Sequence, residues 1–231
     1  MVEEILEEEE ALNFSHAKIQ GTFAQVHSFR YETVKRAGDY LLAIVGLFPC
    51  ALIGIPVAAL IQCTSHGPVF YREERIGREG KPFRIFKFRT MYTGVERGQK
   101  LLDSVHNSLE LRSTHKSPRD PRVTPLGRIL RRWSVDEVPQ ILNVLKGEMS
   151  FIGPRPIVKA ESKLYGGYFP LYCMVRPGLS GLWQQVSGRS RCSYEERVLL
   201  DCQYVQNWSL IQDIAIFAKT FYVVFTAHGA C

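Results

Sequence analysis

One stretch limits the chain more than any other: the apolar run from Tyr40 to Cys63, 24 residues holding Pro49 and Pro56. About 20 apolar residues suffice to cross a bilayer, so the run is a membrane-helix candidate. Each proline removes a helical hydrogen bond, freeing the carbonyls of Val45 and Leu52, and a kink is expected at one of them. Both flanks are basic. Lys35 and Arg36 precede the run, and Arg72, Arg75, Arg78, Lys81, Arg84, Lys87 and Arg89 follow it. A crossing helix would strand Lys35 and Arg36 on the far side, against the positive-inside tendency. Tyr40 to Phe48 rises only ~13 Å, about half the hydrocarbon thickness. A helix that bends near Pro49 and returns is therefore favoured over a straight span.

Length and charge set the frame around that run. A chain of 231 residues, 45% of them hydrophobic, can bury one substantial core. Residues 1–30 hold six Glu against Lys18 and Arg30; their balance of −4 within a whole-chain charge of +6 leaves the remainder at +10. A basic body suits anionic lipids, nucleotide phosphates or nucleic acid. Six cysteines, Cys50, Cys63, Cys173, Cys192, Cys202 and Cys231, show no metal spacing and read as reduced thiols in a cytoplasmic compartment. The acidic first ten residues are not what a cleaved secretory signal needs, and none is expected there.

The chemistry concentrates between Arg131 and Pro156. Ser134 with Glu137 three residues on, before an apolar run, predicts a capping box at a helix start, and Gly147 is the natural stop. Asp136 and Glu137 then lie side by side in the first turn, where the helix dipole favours negative charge. By itself the pair could be only a cap and a dipole partner. Paired Arg131 and Arg132 upstream, and rigid Pro154-Arg155-Pro156 downstream, point further. Adjacent carboxylates framed by fixed cations suit a phosphorylated substrate.

The run Trp133-Ser-Val-Asp-Glu-Val-Pro-Gln-Ile-Leu-Asn-Val-Leu-Lys-Gly-Glu-Met-Ser-Phe-Ile-Gly-Pro-Arg-Pro156 closely resembles the core of bacterial polyprenyl-phosphate sugar-1-phosphate transferases, the monotopic phosphoglycosyl transferases. The resemblance extends from about Lys35 to the end. It implies an α-rich α+β protein: a monotopic membrane protein with a Pro-broken re-entrant helix and a cytoplasmic catalytic domain with interfacial helices. The division expected is an acidic, poorly ordered extension (1–30), the re-entrant helix (31–66) and the transferase domain (67–231). Pro49 marks the helix break, with Phe48 where a Ser often precedes the Pro.

The same resemblance implies the reaction: transfer of a sugar-1-phosphate from a nucleoside diphosphate sugar, UDP-hexose in the first instance, to polyprenyl (undecaprenyl) phosphate, releasing UMP. Asp136 is the expected nucleophile, giving a phosphosugar-aspartate intermediate, and Glu137 the expected Mg²⁺ ligand. Arg131, Arg155, Lys87, Arg89, Asp120 and Arg122 are the substrate-binding candidates. Expected partners are the nucleotide sugar, the polyprenyl phosphate and membrane lipids, without nucleic acid and with room for a homodimer. The expected location is the cytoplasmic face of a bacterial inner membrane. Sugar, base, polyprenyl length and pathway stay open.

The remaining segments carry weaker signals. Phe83, Ile85, Phe86 and Phe88 alternate with cations, predicting a short strand or surface-lying segment; the preferred setting is the membrane interface, with single-stranded nucleic acid as the rival. Residues 92–118 read as a polar helical excursion. Asp120 to Gly127 sets a turn and starts a helix with Pro125 at its first position. Residues 157–172 have helical spacing, and the loop 175–183 has an aromatic anchor in Trp183. Gln184 and Gln185 are given no role. Leu210–Phe225 is apolar but holds Asp213 and Lys219, which disfavours a span and favours a helix packed on the domain or lying in the interface. Two rival functions are a membrane-tethered nucleic-acid binder and a catalytically silent membrane scaffold. The first gives no reason for adjacent acids between arginines, the second would bind membranes without nucleotide-sugar turnover, and no Asp-x-Asp of the soluble glycosyltransferase kind is present.

Overall fold

The computed structural model describes residues 30–94, 120, 122–185 and 193–225. The acidic extension and the polar excursion expected at 92–118 lie almost wholly outside the described residues. Helix α1 spans Arg36–Thr64, after a π-helical segment Arg30–Lys35. The helical run continues through both Pro49, where the break is expected, and Pro56.

Tertiary packing supplies what the prolines take away. Ala43, Cys50, Val57, Ala58 and Ile61 pack on the body, and Gly46 and Gly54 face Ile141 and Phe88, so that contacts recur every three to four residues along one stripe. That periodicity lays one helix face along its support. The rest of the helix is open: Leu41, Ile44, Val45, Phe48, Leu52 and Ile55 are each more than 60% exposed. Long and apolar enough to cross a membrane, the helix buries only 11% of its most apolar window.

Strands β1 (Phe70–Ile76) and β2 (Pro82–Phe88) form an antiparallel hairpin, with Tyr71 opposite Lys87 and Ile76 opposite Pro82. The strand predicted from the alternation is present, but its setting differs. Phe83, Ile85, Phe86 and Phe88 are all buried. Phe83 and Ile85 join Ala43, Ile141 and Val144, and Phe88 joins Ile61 and Leu130. Phe86 is covered by the Arg72 guanidinium and the Lys146 ammonium, 4.6 and 4.5 Å from its ring centroid. These rings belong to the core rather than to the membrane interface. Alternation reports which residues turn inward; it does not say whether protein or lipid covers them.

Helix α2 (Pro125–Arg132) begins as expected, with Pro125 in the first turn and the Thr124 hydroxyl accepting from the Gly127 amide at 2.8 Å. A 3₁₀ segment, Val135–Gln140, leads into α3 (Ile141–Lys146), which stops at Gly147 with φ 84°. The capping box expected at Ser134 is not formed. Ser134 is left-handed (φ 55°), its side chain makes no cap, and the turn is closed by the Glu137 amide donating to the Ser134 carbonyl at 3.1 Å. Strand β3 (Ser150–Ile152) pairs in parallel with β4 (Gly178–Ser180).

The C-terminal half closes over that pair. A 3₁₀ segment at Lys159–Tyr168 and helices α4 (Phe169–Cys173), α5 (Tyr194–Gln206) and α6 (Leu210–Phe225) enclose a core of Tyr172, Val175, Tyr204, Val205 and Ile216. Helix α6 packs on the domain through buried Ile216, while Ile211, Ile214 and Tyr222 are exposed. The described chain is mostly helical with two small sheets, an α-rich α+β fold. Cys50, Cys63, Cys173 and Cys202 are free thiols.

Polar contacts tie both ends of α1 to the same body. At its start, Lys35 Nζ donates to Asp213 Oδ2 at 2.7 Å and Arg36 Nη2 to the Val144 carbonyl at 2.8 Å. One turn on, Asp39 accepts from Ser150 Oγ at 3.0 Å and the Phe151 amide at 3.1 Å. At its end, Arg89 donates to the Ser65 and His66 carbonyls at 2.7 and 2.8 Å.

Candidate active site

Two short elements meet at the acids. The 3₁₀ segment carrying Asp136 and Glu137 packs across β2, and Lys87 Nζ donates to Glu137 Oε1 at 2.7 Å, both side chains partly open to solvent. Helix α2 delivers Arg131. Its Nε donates to Thr90 Oγ1 at 2.9 Å, and its terminal nitrogens have no hydrogen-bond acceptor among the described residues. Burial holds the Arg131 guanidinium below its ordinary pKa, opposed by the charges of Asp136 and Asp120. Arg131 thus faces both carboxylates with its fork still to be filled.

Gly127 makes this closeness workable: a Cβ there would stand 2.2 Å from the Thr90 carbonyl oxygen, so only glycine lets α2 settle on the chain beside Lys87. Asp120 and Arg122 lie nearby as a pair, Arg122 Nη2 to Asp120 Oδ2 at 2.6 Å. Burial pushes the Asp120 carboxyl up, and the bonded Arg122 guanidinium more than reverses this, leaving it below the usual carboxylate range.

Lys87, Arg131, Asp136 and Glu137, with Asp120 and Arg122 beside them, therefore form one cluster. Two candidates stand apart. Arg89 is buried and its terminal nitrogens bond Ser65 and His66; it closes the end of α1, which is a structural task rather than the phosphate contact expected of it. Arg155 belongs to a second cluster, with its guanidinium 5.2 Å from the Trp183 ring centroid, Arg197 at 5.4 Å from the same ring, and its amide donating to Asp201 Oδ2 at 3.4 Å. Ile157, two residues on, bridges Ile76 of β1, whereas Lys87 pairs with Tyr71. Five strand residues, roughly 17 Å, separate those positions.

Asp201 is almost fully buried, receives the Tyr165 hydroxyl at 2.7 Å, and its Oδ1 has no hydrogen-bond partner among the described residues. Burial pushes its carboxyl up to about 7, against the bonds from Tyr165 and the Arg155 amide. Thr90 and Asp201 escaped the sequence reading. Thr90 carries no charge to mark it, and nothing local sets Asp201 apart from the other polar residues of Tyr194–Gln206.

The donor set suits a hard divalent ion held lightly. Among the described residues no group of three His, Cys, Asp or Glu could form a metal cage. Mg²⁺ is usually held by one or two carboxylates completed by substrate oxygens, and Glu137 with its neighbour Asp136 could supply those carboxylates.

A transferase that handles phosphorylated sugars accounts for adjacent acids, an unfilled Arg fork and an apolar, one-sided helix together. The bacterial sugar transferase model matches residues 30–227, and the chain belongs to that family. It is 44% identical over 201 residues to the exopolysaccharide production protein ExoY of Rhizobium meliloti, covering 85% of this chain and 87% of that one. It is 46% identical over 167 residues to the undecaprenyl-phosphate galactose phosphotransferase of Salmonella typhimurium, covering 71% of this chain but 35% of the relative. With the UDP-galactose-lipid carrier transferase of Erwinia amylovora it shares 40% identity over 209 residues, 88% of this chain and 42% of the relative. The chain is a sugar-phosphate transferase enzyme.

Proposed function

We propose that this protein transfers a hexose-1-phosphate from a nucleoside diphosphate sugar, of the UDP-hexose class, to a polyprenyl phosphate, releasing the nucleoside monophosphate. The observation that carries the reading is the cluster itself: Asp136 and Glu137 adjacent, Lys87 on Glu137 at 2.7 Å, and Arg131 within the field of Asp136 with no hydrogen-bond acceptor on its terminal nitrogens among the described residues. The relatives' names, a galactose phosphotransferase and a galactose-lipid carrier transferase, agree with a hexose donor.

In this reading a carboxylate oxygen of Asp136 attacks the sugar-bearing phosphorus. An O–P bond to aspartate forms, the bridging O–P bond breaks, and the electron pair leaves with the nucleoside monophosphate. An oxygen of the polyprenyl phosphate then attacks the same phosphorus and displaces Asp136 as carboxylate, so no proton need be supplied. Arg131 meets the phosphate oxygens with two parallel donors. Lys87 holds Glu137 in place and adds positive charge where negative charge gathers. Glu137, with Asp136 adjacent, would hold Mg²⁺, which when bound screens the charge of the diphosphate.

The membrane reading follows from α1. Its packed stripe and the polar ties at both ends hold it to one body, while its apolar remainder faces outward. A helix so held enters one leaflet region and leaves both ends on one side, here taken as the cytoplasmic face of a bacterial inner membrane. It sets the acids beside a lipid phosphate while the nucleotide sugar arrives from water.

The test separates the acids. Full-length protein given nucleotide sugar and Mg²⁺ without polyprenyl phosphate is expected to gain the mass of one phosphosugar. Asp136→Asn is expected to show neither adduct nor turnover, because an amide cannot supply the attacking oxyanion. Glu137→Gln is expected to lose activity that excess Mg²⁺ partly restores. Turnover surviving Asp136→Asn would defeat the covalent reading.

A further inference from the structure

We infer that Asn143 is a positioning residue for the Lys87–Glu137 pair: its buried amide locks the outer edge of β2 to the element that carries the two acids. Asn143 is fully buried on α3, six residues past Glu137 in one continuous stretch of helical turns. Its Oδ1 accepts the Phe86 amide at 3.0 Å, and its Nδ2 donates to the Arg84 carbonyl at 2.8 Å and to Glu148 Oε2 at 2.7 Å. One edge of β2 is paired with β1. On the other edge the amide takes one donor and one acceptor, as a third strand would.

Lys87 follows Phe86 directly, so the clamp sits at the base of the lysine that reaches Glu137. Apolar packing of Ile141, Val144 and Phe83 holds helix to strand but resists sliding poorly. A slip of one strand residue, ~3.3 Å, would break both amide bonds and carry Lys87 out of reach of Glu137. Asn143 is the register pin. A polar residue inside Ile-Leu-Asn-Val-Leu was the sequence signal for it.

The turnover arm of the test rests on the proposed function; the other arm does not. Lys87 in the detergent-solubilised full chain is acetylated with an N-hydroxysuccinimide ester and followed by peptide mass spectrometry, with Glu137→Ala, which removes the acceptor, as the unpaired standard. Asn143→Ser is expected to bring Lys87 acetylation close to that standard. Val198→Ala, a cavity in the C-terminal core where Val198 is buried on α5, is expected to leave it at the wild-type rate. In turnover, Asn143→Ser is expected to lower kcat about tenfold while the donor KM moves less than about twofold, and to cost little more once Lys87→Gln is present. Wild-type acetylation in Asn143→Ser, or full additivity with Lys87→Gln, would reduce Asn143 to a core residue. Should Asn143→Ser not fold, Glu148→Ala removes only the carboxylate that orients the amide; faster Lys87 labelling there supports the pin and unchanged labelling overturns it. A wild-type chain inactive on every nucleotide sugar would sink the proposed function, and the acetylation rates would still decide the role of Asn143.

Discussion

Ser134 stands two residues ahead of the proposed nucleophile in the left-handed region, φ 55°, without a cap bond from its hydroxyl. A left-handed side-chain residue costs roughly 1–2 kcal/mol, a strain often kept at functional sites. Ser134→Gly is therefore expected to raise thermal stability, and Ser134→Ala to be near neutral. Were the hydroxyl a helix cap, the alanine would instead lose about 1 kcal/mol; thermal denaturation of the three proteins distinguishes the cases. The Ser-x-x-Glu pattern was legible, and so was the placement of both acids at a helix start. The left-handed turn was not, because it comes from the join: only Trp133 and Ser134 separate α2 from the next segment, and the Ser134 amide must bond back to the Arg131 carbonyl. Arg89 shows the same limit. Its charge was visible in sequence, but the carbonyls at the end of α1, which claim it, lie more than twenty residues away.

At the level of elements, the site is a meeting of α2, β2 and the 3₁₀ segment, and Gly127 sets how closely they meet. A Cβ at that position would lie 2.2 Å from the Thr90 oxygen and 2.8 Å from its carbon, backbone atoms that cannot swing aside. Gly127→Ala is expected to cost about 1–3 kcal/mol by overpacking and to lower turnover by moving Arg131 off Thr90. A variant with wild-type stability and KM would show that α2 is not held against Thr90. Element existence was largely readable: the alternation of β2, the Pro125 start of α2, the Gly147 stop of α3 and the apolar length of α1 all carry local signals. Surroundings were harder. The aromatic faces of β2 look identical whether lipid or α1 covers them, and the stripe Ala43, Gly46, Cys50, Gly54 is masked by the equally apolar residues between.

For the molecule as a whole, two consequences follow. The first is a pH slope. Burial raises Asp201 from 3.8 to about 7 in the folded chain. Between those values the folded state binds more protons than the unfolded one, so stability is expected to fall as pH rises from about 4 to about 7 and then level off. Asp201→Asn is expected to flatten that slope in denaturant titrations across the window; an unchanged slope would assign it to other groups. The second is topology. Helix α1, 29 residues, is ~43 Å long if straight, enough to cross the ~30 Å core. Crossing would place Lys35, Arg36 and Asp39 opposite Ser65. Yet Arg36 holds Val144 on α3, Asp39 holds Ser150 on β3, and Arg89, one residue past β2, holds Ser65. Helix α3 is itself pinned to β2 through Asn143, so both ends of α1 rest on one unbroken body. In a chain with its native cysteines replaced, single cysteines at positions 30 and 94 are expected to react with a membrane-impermeant maleimide from the same, cytoplasmic side. Pro49→Leu is expected to preserve that result, since the proline leaves the helical run intact and the polar ties outlast it. Labelling of the two positions from opposite sides would establish a spanning helix and detach α1 from the body described here.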